Sequence, residues 1–279
     1  MIVTILGSGT SHGVPKLGCH CPVCESTDPR DRRTRASILF SKNGKNLVID
    51  TGYEFRLQLL REHVDSVDAV LYTHDHADHI SGLDDLRIFS QETDLKIYGN
   101  RQTVRYIRKR WPYACRKGTS SKARILAANI LRTLGFSRRA AIVRGFPGVP
   151  HLEPTYIEPY KSVDIAGFSV VPLIVEHGRE THWNIYGYRV DDFAYLTDCT
   201  YIPEETFKAL EGVKHLVIGG LRKKPHGAHF SFEEAYMVGK RLGLERFYFT
   251  HINHETAASE IDELYPEALS AYDGMTLEV

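Results

Sequence analysis

No stretch of the 279-residue sequence approaches the roughly 20 consecutive apolar residues that a bilayer-spanning helix needs. The opening MIVTILGSGTS has neither a basic leader nor a long apolar segment. Neither export nor a membrane partner is therefore expected, and the localisation to expect is cytoplasmic. Cysteine is scarce: there are five, an odd number, and Cys19, Cys21 and Cys24 lie too close together in sequence for an ordinary disulfide framework. Thiolates serving a metal in a reducing compartment are the better reading. Net charge is missing too, because 35 Lys and Arg offset 35 Asp and Glu.

One local absence cuts the other way. From Arg101 to Arg144 there is no Asp or Glu, while 13 Lys or Arg, Arg138 and Arg139 among them, fill the stretch. Such a segment could grip a nucleic-acid backbone. It could equally form a solvated helical face, or pair with the acidic remainder or a second copy in a homodimer. No internal repeat or low-complexity tract is visible, and GSGTSHGVP has no lysine in P-loop spacing, which excludes that phosphate cradle.

What is present suits one large α/β domain spanning residues 1–279, and 42% hydrophobic residues can fill its core. Short apolar runs (IVTIL, ASILF, LVID) alternate with turn residues, and Asn43-Gly44 predicts a hairpin turn. Phe55 to His63 reads as a helix and AVLY as a buried strand, which puts THDHADH in the loop after it. The basic stretch predicts an inserted helical segment at about 101–150, broken at Pro112 and Gly118. Strands resume with FSVVPLIVEH, NIYGYRV, FAYLTD and LVIGG. Ser231 with Glu234 three residues later opens a helix to Leu242, and RFYFTH is the last strand.

THDHADH supplies His74, His76, Asp78 and His79, four potential metal ligands within six residues. His177, Asp198 and His251 stand at three further strand ends. A lone histidine at a strand end is usually a surface or hydrogen-bonded group. The recurrence is what points to a metal centre.

His-x-His-x-Asp-His, together with GSGTSHGVP, GCHCPVC, LVIDTG, YLTDCTYIPEET and THINH, resembles the metallo-β-lactamase superfamily, and within it the PhnP-type cyclic phosphodiesterases. The resemblance covers nearly the whole chain except the basic insertion. It implies an αββα sandwich with two divalent ions, zinc or manganese, at one edge. His74, His76 and His177 would hold one ion, Asp78, His79 and His251 the other, and Asp198 would bridge them. Asp50 falls where the family places an acid that orients the metal-binding loop. A hydroxide shared by the ions would attack a small, cyclic phosphate ester. His229 matches the proposed general acid, against the plainer reading that it caps or packs on the helix after it. His226 and His12 are weaker candidates for the pocket.

Three cysteines leave a tetrahedral zinc one donor short. With His251 taken, His254 is free, and it matches the position that completes this site in the phosphodiesterases resembled. Cys115, Cys199 and His20 are the competing donors. Two other functions fit the residues less completely. One is a transfer-RNA 3′-processing endoribonuclease (tRNase Z-like) of the same fold, favoured by the basic stretch. The other is a non-enzymatic zinc protein that binds nucleic acid through GCHCPVC, with the histidines structural, although a purely structural site needs four ligands, not seven.

Overall fold

The computed structural model describes residues 1–91, 93–115, 121–136 and 149–279, without the side chains of 121–125. A first sheet contains β1 (Ile2–Gly7), β2 (Ser37–Lys42), β3 (Lys45–Ile49), β4 (Ala69–Leu71), β5 (Leu95–Gly99) and β6 (Leu152–Tyr156) in sequence order. The second contains β7 (Val163–Ile165), β8 (Phe168–His177), β9 (Trp183–Val190), β10 (Phe193–Leu196), β11 (His215–Gly219), β12 (Phe247–Thr250) and β13 (Ala268–Ser270), again in order. The chain returns to the first sheet as β14 (Thr276–Glu278), beside β1. Asn43 and Gly44 make the predicted turn between β2 and β3, both with positive φ (53° and 71°), the conformation a type I′ hairpin requires.

Ile5, Phe40, Leu47 and Leu71 of the first sheet meet Phe168, Tyr188, Phe193 and Val217 of the second in a shared core. Full burial of each such apolar side chain contributes about 1.5–3 kcal/mol. Helices α1 (Phe55–Arg61), α2 (Ala77–Ile80), α3 (Arg101–Arg110), α4 (Ser121–Thr133), α5 (Glu204–Ala209), α6 (Phe232–Arg241) and α7 (Ala258–Leu264) follow in chain order. Phe55, Leu59 and Ile107 cover the outer face of the first sheet; Phe232, Ala235 and Ile261 cover that of the second. The result is the expected αββα sandwich. Ser231 opens α6 with the predicted capping box, its hydroxyl receiving the Glu234 N–H while the Glu234 carboxylate receives the Ser231 N–H.

Strand direction places the site. β3 and β4 run parallel, so Asp50 and His74 leave neighbouring strand ends. β10, β11 and β12 are also parallel, so Asp198 and His251 emerge at one edge. In sheets of this kind, the crevice at the carboxyl ends of parallel strands is where ligands sit.

Two details differ from the sequence reading. The THDHADH loop is helical at its end, because the His79 N–H donates to the His76 carbonyl (3.1 Å) and starts α2. Asp78 and His79 therefore ride on a helical turn. The basic stretch also begins inside the sandwich's outer layer. Val104 and Ile107 of α3 are buried, and the helix packs against β5 and β6 with its cations outward. Arg116, Lys117, Gly118, Arg138, Arg139 and Arg144 lie outside the described residues, as do the side chains of Lys122 and Arg124.

Candidate active site and metal centres

Three residues at the strand ends have left-handed backbone: Asp50 (φ 64°), Asp198 (57°) and His251 (57°). Few non-glycine residues adopt this conformation, which costs on the order of 1–3 kcal/mol each. It turns the side chain out of the strand's alternation and into the space beyond the sheet. All three are nearly or fully buried, so the surrounding contacts hold the strain in place.

The predicted residues converge there. His74, His76 and His177 form one group whose donor atoms lie within 4.8 Å of one another; Asp78, His79 and His251 form a second. Asp198 joins His74 and His79 in one set and His177 and His229 in another. Its Oδ1 is 3.4 Å from His79 Nε2, and its Oδ2 is 3.4 Å from His251 Nε2. Buried nitrogens of His74, His79, His229 and His251 have no hydrogen-bond partner among the described residues. Unpaired buried polar atoms are costly, and imidazoles and carboxylates aimed inward together fit divalent cations.

Supporting contacts fix which imidazole nitrogen faces the centre. Asp50 accepts from His79 Nδ1 (2.7 Å) and from both the N–H and the hydroxyl of Thr73 (2.9 and 2.8 Å). Thr73 Oγ1 also meets His74 Nδ1 at 2.9 Å, and the Ala228 carbonyl meets His177 Nδ1 at 2.7 Å. Each contact leaves Nε2 for the centre.

Charges follow the same geometry. Burial opposes ionisation of Asp198, but the imidazoles of His251 and His79 outweigh it and hold the carboxyl well below the usual range. Asp78 is lowered likewise: burial works against its ionisation, and His79 and His251 prevail. Burial also works against charge on His79, yet Asp198, Asp78 and Asp50 raise it above the ordinary imidazole value. Asp50 itself is raised by burial, with His79 opposing. Burial pushes His229 down to about 3, only partly offset by Asp198. His229 Nδ1 lies 3.6 Å from Asp198 Oδ2, and its ring stacks on His251 and His226. Ser231 caps α6, so His229 does not.

The N-terminal thiols meet the predicted partner. Cys19, Cys21, Cys24 and His254 form one set of donors, with His254 Nδ1 at 3.4 Å from both Cys19 Sγ and Cys21 Sγ. His20 is exposed and turned to Glu25 (3.0 Å), Cys199 bonds the Thr197 carbonyl, and Cys115 packs in the core outside the first sheet. None of these three belongs to the thiol set. The hydrogen bond with His254 lowers the Cys21 thiol to about 6, while burial raises Cys24 to about 11.

Sequence reasoning missed several residues that shape these centres. Thr73 could have been found as the hydroxyl beside the histidine motif. Arg33 gave no signal: its guanidinium is fully buried, pairs with Asp31 at 2.7 Å and donates to the carbonyls of Asn253 and Thr256. It thus clamps the turn that carries His254. Trp183 and Gln102 were also missed. The indole packs 5.0–5.8 Å from the rings of His76, His74 and His177.

The sequence model of the family described as a beta-lactamase superfamily domain matches residues 45–252. The chain therefore belongs to the metallo-β-lactamase superfamily. Within the superfamily it is PhnP-like. A solved structure, a diphosphatase from the PhnP family, shares 34% identity and superposes with a TM-score of 0.82, covering 100% of this chain and 97% of that one. Zinc-bound PqqB from Methylobacterium extorquens shares the fold over the full length of both chains (TM-score 0.70, 19% identity). A Porphyromonas gingivalis protein named octanoyltransferase is 35% identical over 275 residues, which are 97% of this chain and 50% of that protein. The chain thus spans half the length of that relative.

Proposed function

We propose that this chain is a phosphodiesterase for a small, cyclic phosphate ester. The observation that carries the proposal is the pair of three-donor groups with Asp198 beside both. His74, His76 and His177 would hold one divalent ion, zinc or manganese; Asp78, His79 and His251 a second; and Asp198 both. Held there, two such ions would supply Lewis-acid chemistry, activating water and offsetting negative charge on a phosphoryl group.

The chain's own residues do the rest. Asp50 and Thr73 hold the His79 and His74 rings so that Nε2 faces the centre. Asp78 and Asp198 stay ionised through the physiological range because neighbouring imidazoles favour their charged forms. His229 would give the leaving oxygen its proton as the ester bond breaks; burial holds the ring neutral beforehand, so it would first take up a proton when the phosphate's negative charge arrives beside it and favours the imidazolium. The Cys3His set would carry a structural zinc that joins the N-terminal loop to the segment after β12.

The kinship with a PhnP-family diphosphatase supports phosphoryl chemistry but not yet a particular ester. Among the described residues, the cations of α3 make no ion pair, which favours an anionic substrate and keeps transfer-RNA processing as the second reading. The octanoyltransferase name belongs to a relative twice as long. A screen of cyclic nucleotides, ribosyl cyclic phosphate, diphosphate esters, transfer-RNA precursor and an octanoyl donor with a lysine-bearing acceptor tests the proposal. Metal-dependent turnover highest on a cyclic ester is expected. Preference for the RNA or the octanoyl donor would overturn it.

A further inference from the structure

The three imidazoles of the first metal group are not held alike. His74 has Thr73 Oγ1 on its Nδ1, and His177 has the Ala228 carbonyl. His76 is exposed, and among the described residues no hydrogen bond reaches its ring. A metal-bound histidine almost always has such a partner, because the partner fixes ring orientation and donor nitrogen. His76 has an indole instead. The Trp183 ring lies 5.0 Å from it at 61°, and also contacts His74 at 5.5 Å and His177 at 5.8 Å.

Trp183 is in turn held. It sits opposite His177 in the β8–β9 register, which puts the two side chains on one face. Its Nε1 donates to Gln102 Oε1 (3.1 Å), and Gln102 Nε2 donates to Asp75 Oδ1 (3.3 Å), between His74 and His76. Gln102 is in the first turn of α3, which Asn100 caps by accepting the Thr103 N–H at 2.8 Å. An edge-on ring contact of this kind has a preferred geometry and contributes about 0.5–1.5 kcal/mol beyond area burial.

We propose that Trp183, anchored by Gln102 to Asp75, is the positioning residue for His76, and that the Asp75–Gln102–Trp183 chain ties α3 to the three-histidine metal group. The indole restricts the His76 ring where a hydrogen bond restricts its two neighbours. The proposal rests on the reading that His74, His76 and His177 hold a metal ion.

Cobalt(II) titration of the metal-stripped protein tests it, because visible absorption reports coordination geometry, and a sulfur-to-cobalt band reports the Cys3His set separately. Wild type and Trp183→Ala, Trp183→Phe, Gln102→Leu, Asp75→Asn and His76→Ala are compared. Trp183→Ala should weaken cobalt binding at the imidazole group by about 10- to 100-fold, with an altered visible spectrum. Gln102→Leu should show a smaller loss in the same direction. Trp183→Phe, which keeps a ring against His76 but loses the N–H that donates to Gln102, should show the same partial loss as Gln102→Leu, whereas Asp75→Asn, which keeps the acceptor for Gln102, should retain most of the affinity. An unchanged sulfur band and melting temperature show that the fold is intact. Wild-type affinity and spectrum in Trp183→Ala would overturn the proposal alone. A His76→Ala protein that binds cobalt like wild type would overturn the underlying metal assignment.

Discussion

Asp50 and His79 are bound Oδ2 to Nδ1 at 2.7 Å, both fully buried, although 29 residues separate them. The contact joins the end of β3 to α2 and leaves His79 Nε2 facing Asp78 and Asp198. Asp50→Asn keeps the shape and removes the charge that favours this tautomer. Metal affinity or turnover should fall about 10- to 100-fold, read by chelator competition and kcat.

For His229, leaving-group dependence separates proton donor from metal ligand. His229→Ala should keep its metal content, lose roughly 100-fold or more on alkyl phosphodiesters and lose less on p-nitrophenyl esters, whose leaving group needs no proton. Loss of metal, or equal losses on both substrates, would make it a ligand or a packing group.

At the Cys3His set, the proton count is predictable. Near pH 7 Cys21, lowered to about 6, is already a thiolate, while Cys24, raised to about 11, keeps its proton. Zinc binding should therefore release at least the Cys24 proton, measurable by calorimetry in buffers of differing ionisation enthalpy. Affinity should drop as pH falls through about 6, where protons compete for Cys21. His254→Ala should weaken this zinc and lower the melting temperature more than it alters kcat.

Arg105 and Lys109 are exposed on α3, the helix whose first turn carries Gln102. Reversing both to Glu should raise KM for an anionic substrate at low salt and matter less at high salt, since the Debye length falls to about 3 Å at 1 M. A KM indifferent to both changes would assign these charges to packing or assembly.

How much was legible in the sequence depended on whether the signal was local. His74, His76, Asp78 and His79 are contiguous, and His177, Asp198 and His251 each follow an apolar run, so periodicity and ligand type exposed them. Ser231 and Glu234 announced their helix start for the same reason. Arg33 and Gln102 were invisible because the contacts that tie them to the two centres, with the Asn253 carbonyl and the Trp183 indole, span 220 and 81 residues and their types are ordinary on a surface. The first helical turn of α2 was missed because one α-turn is too short to show a period. Left-handed backbone at Asp50, Asp198 and His251 had no signal either, since glycine, the usual marker, is absent from all three positions.

Asp198 joins the two halves of the site, because it stands beside both three-donor groups. The most direct measurement is metal content alongside metal-dependent hydrolysis of bis(p-nitrophenyl) phosphate, in wild type and Asp198→Ala. Wild type should hold about three ions per chain, two at the active site and one with the cysteines. Asp198→Ala should keep the cysteine-bound zinc, lose active-site metal and lose nearly all turnover. Unchanged metal content with full activity in Asp198→Ala would contradict the account.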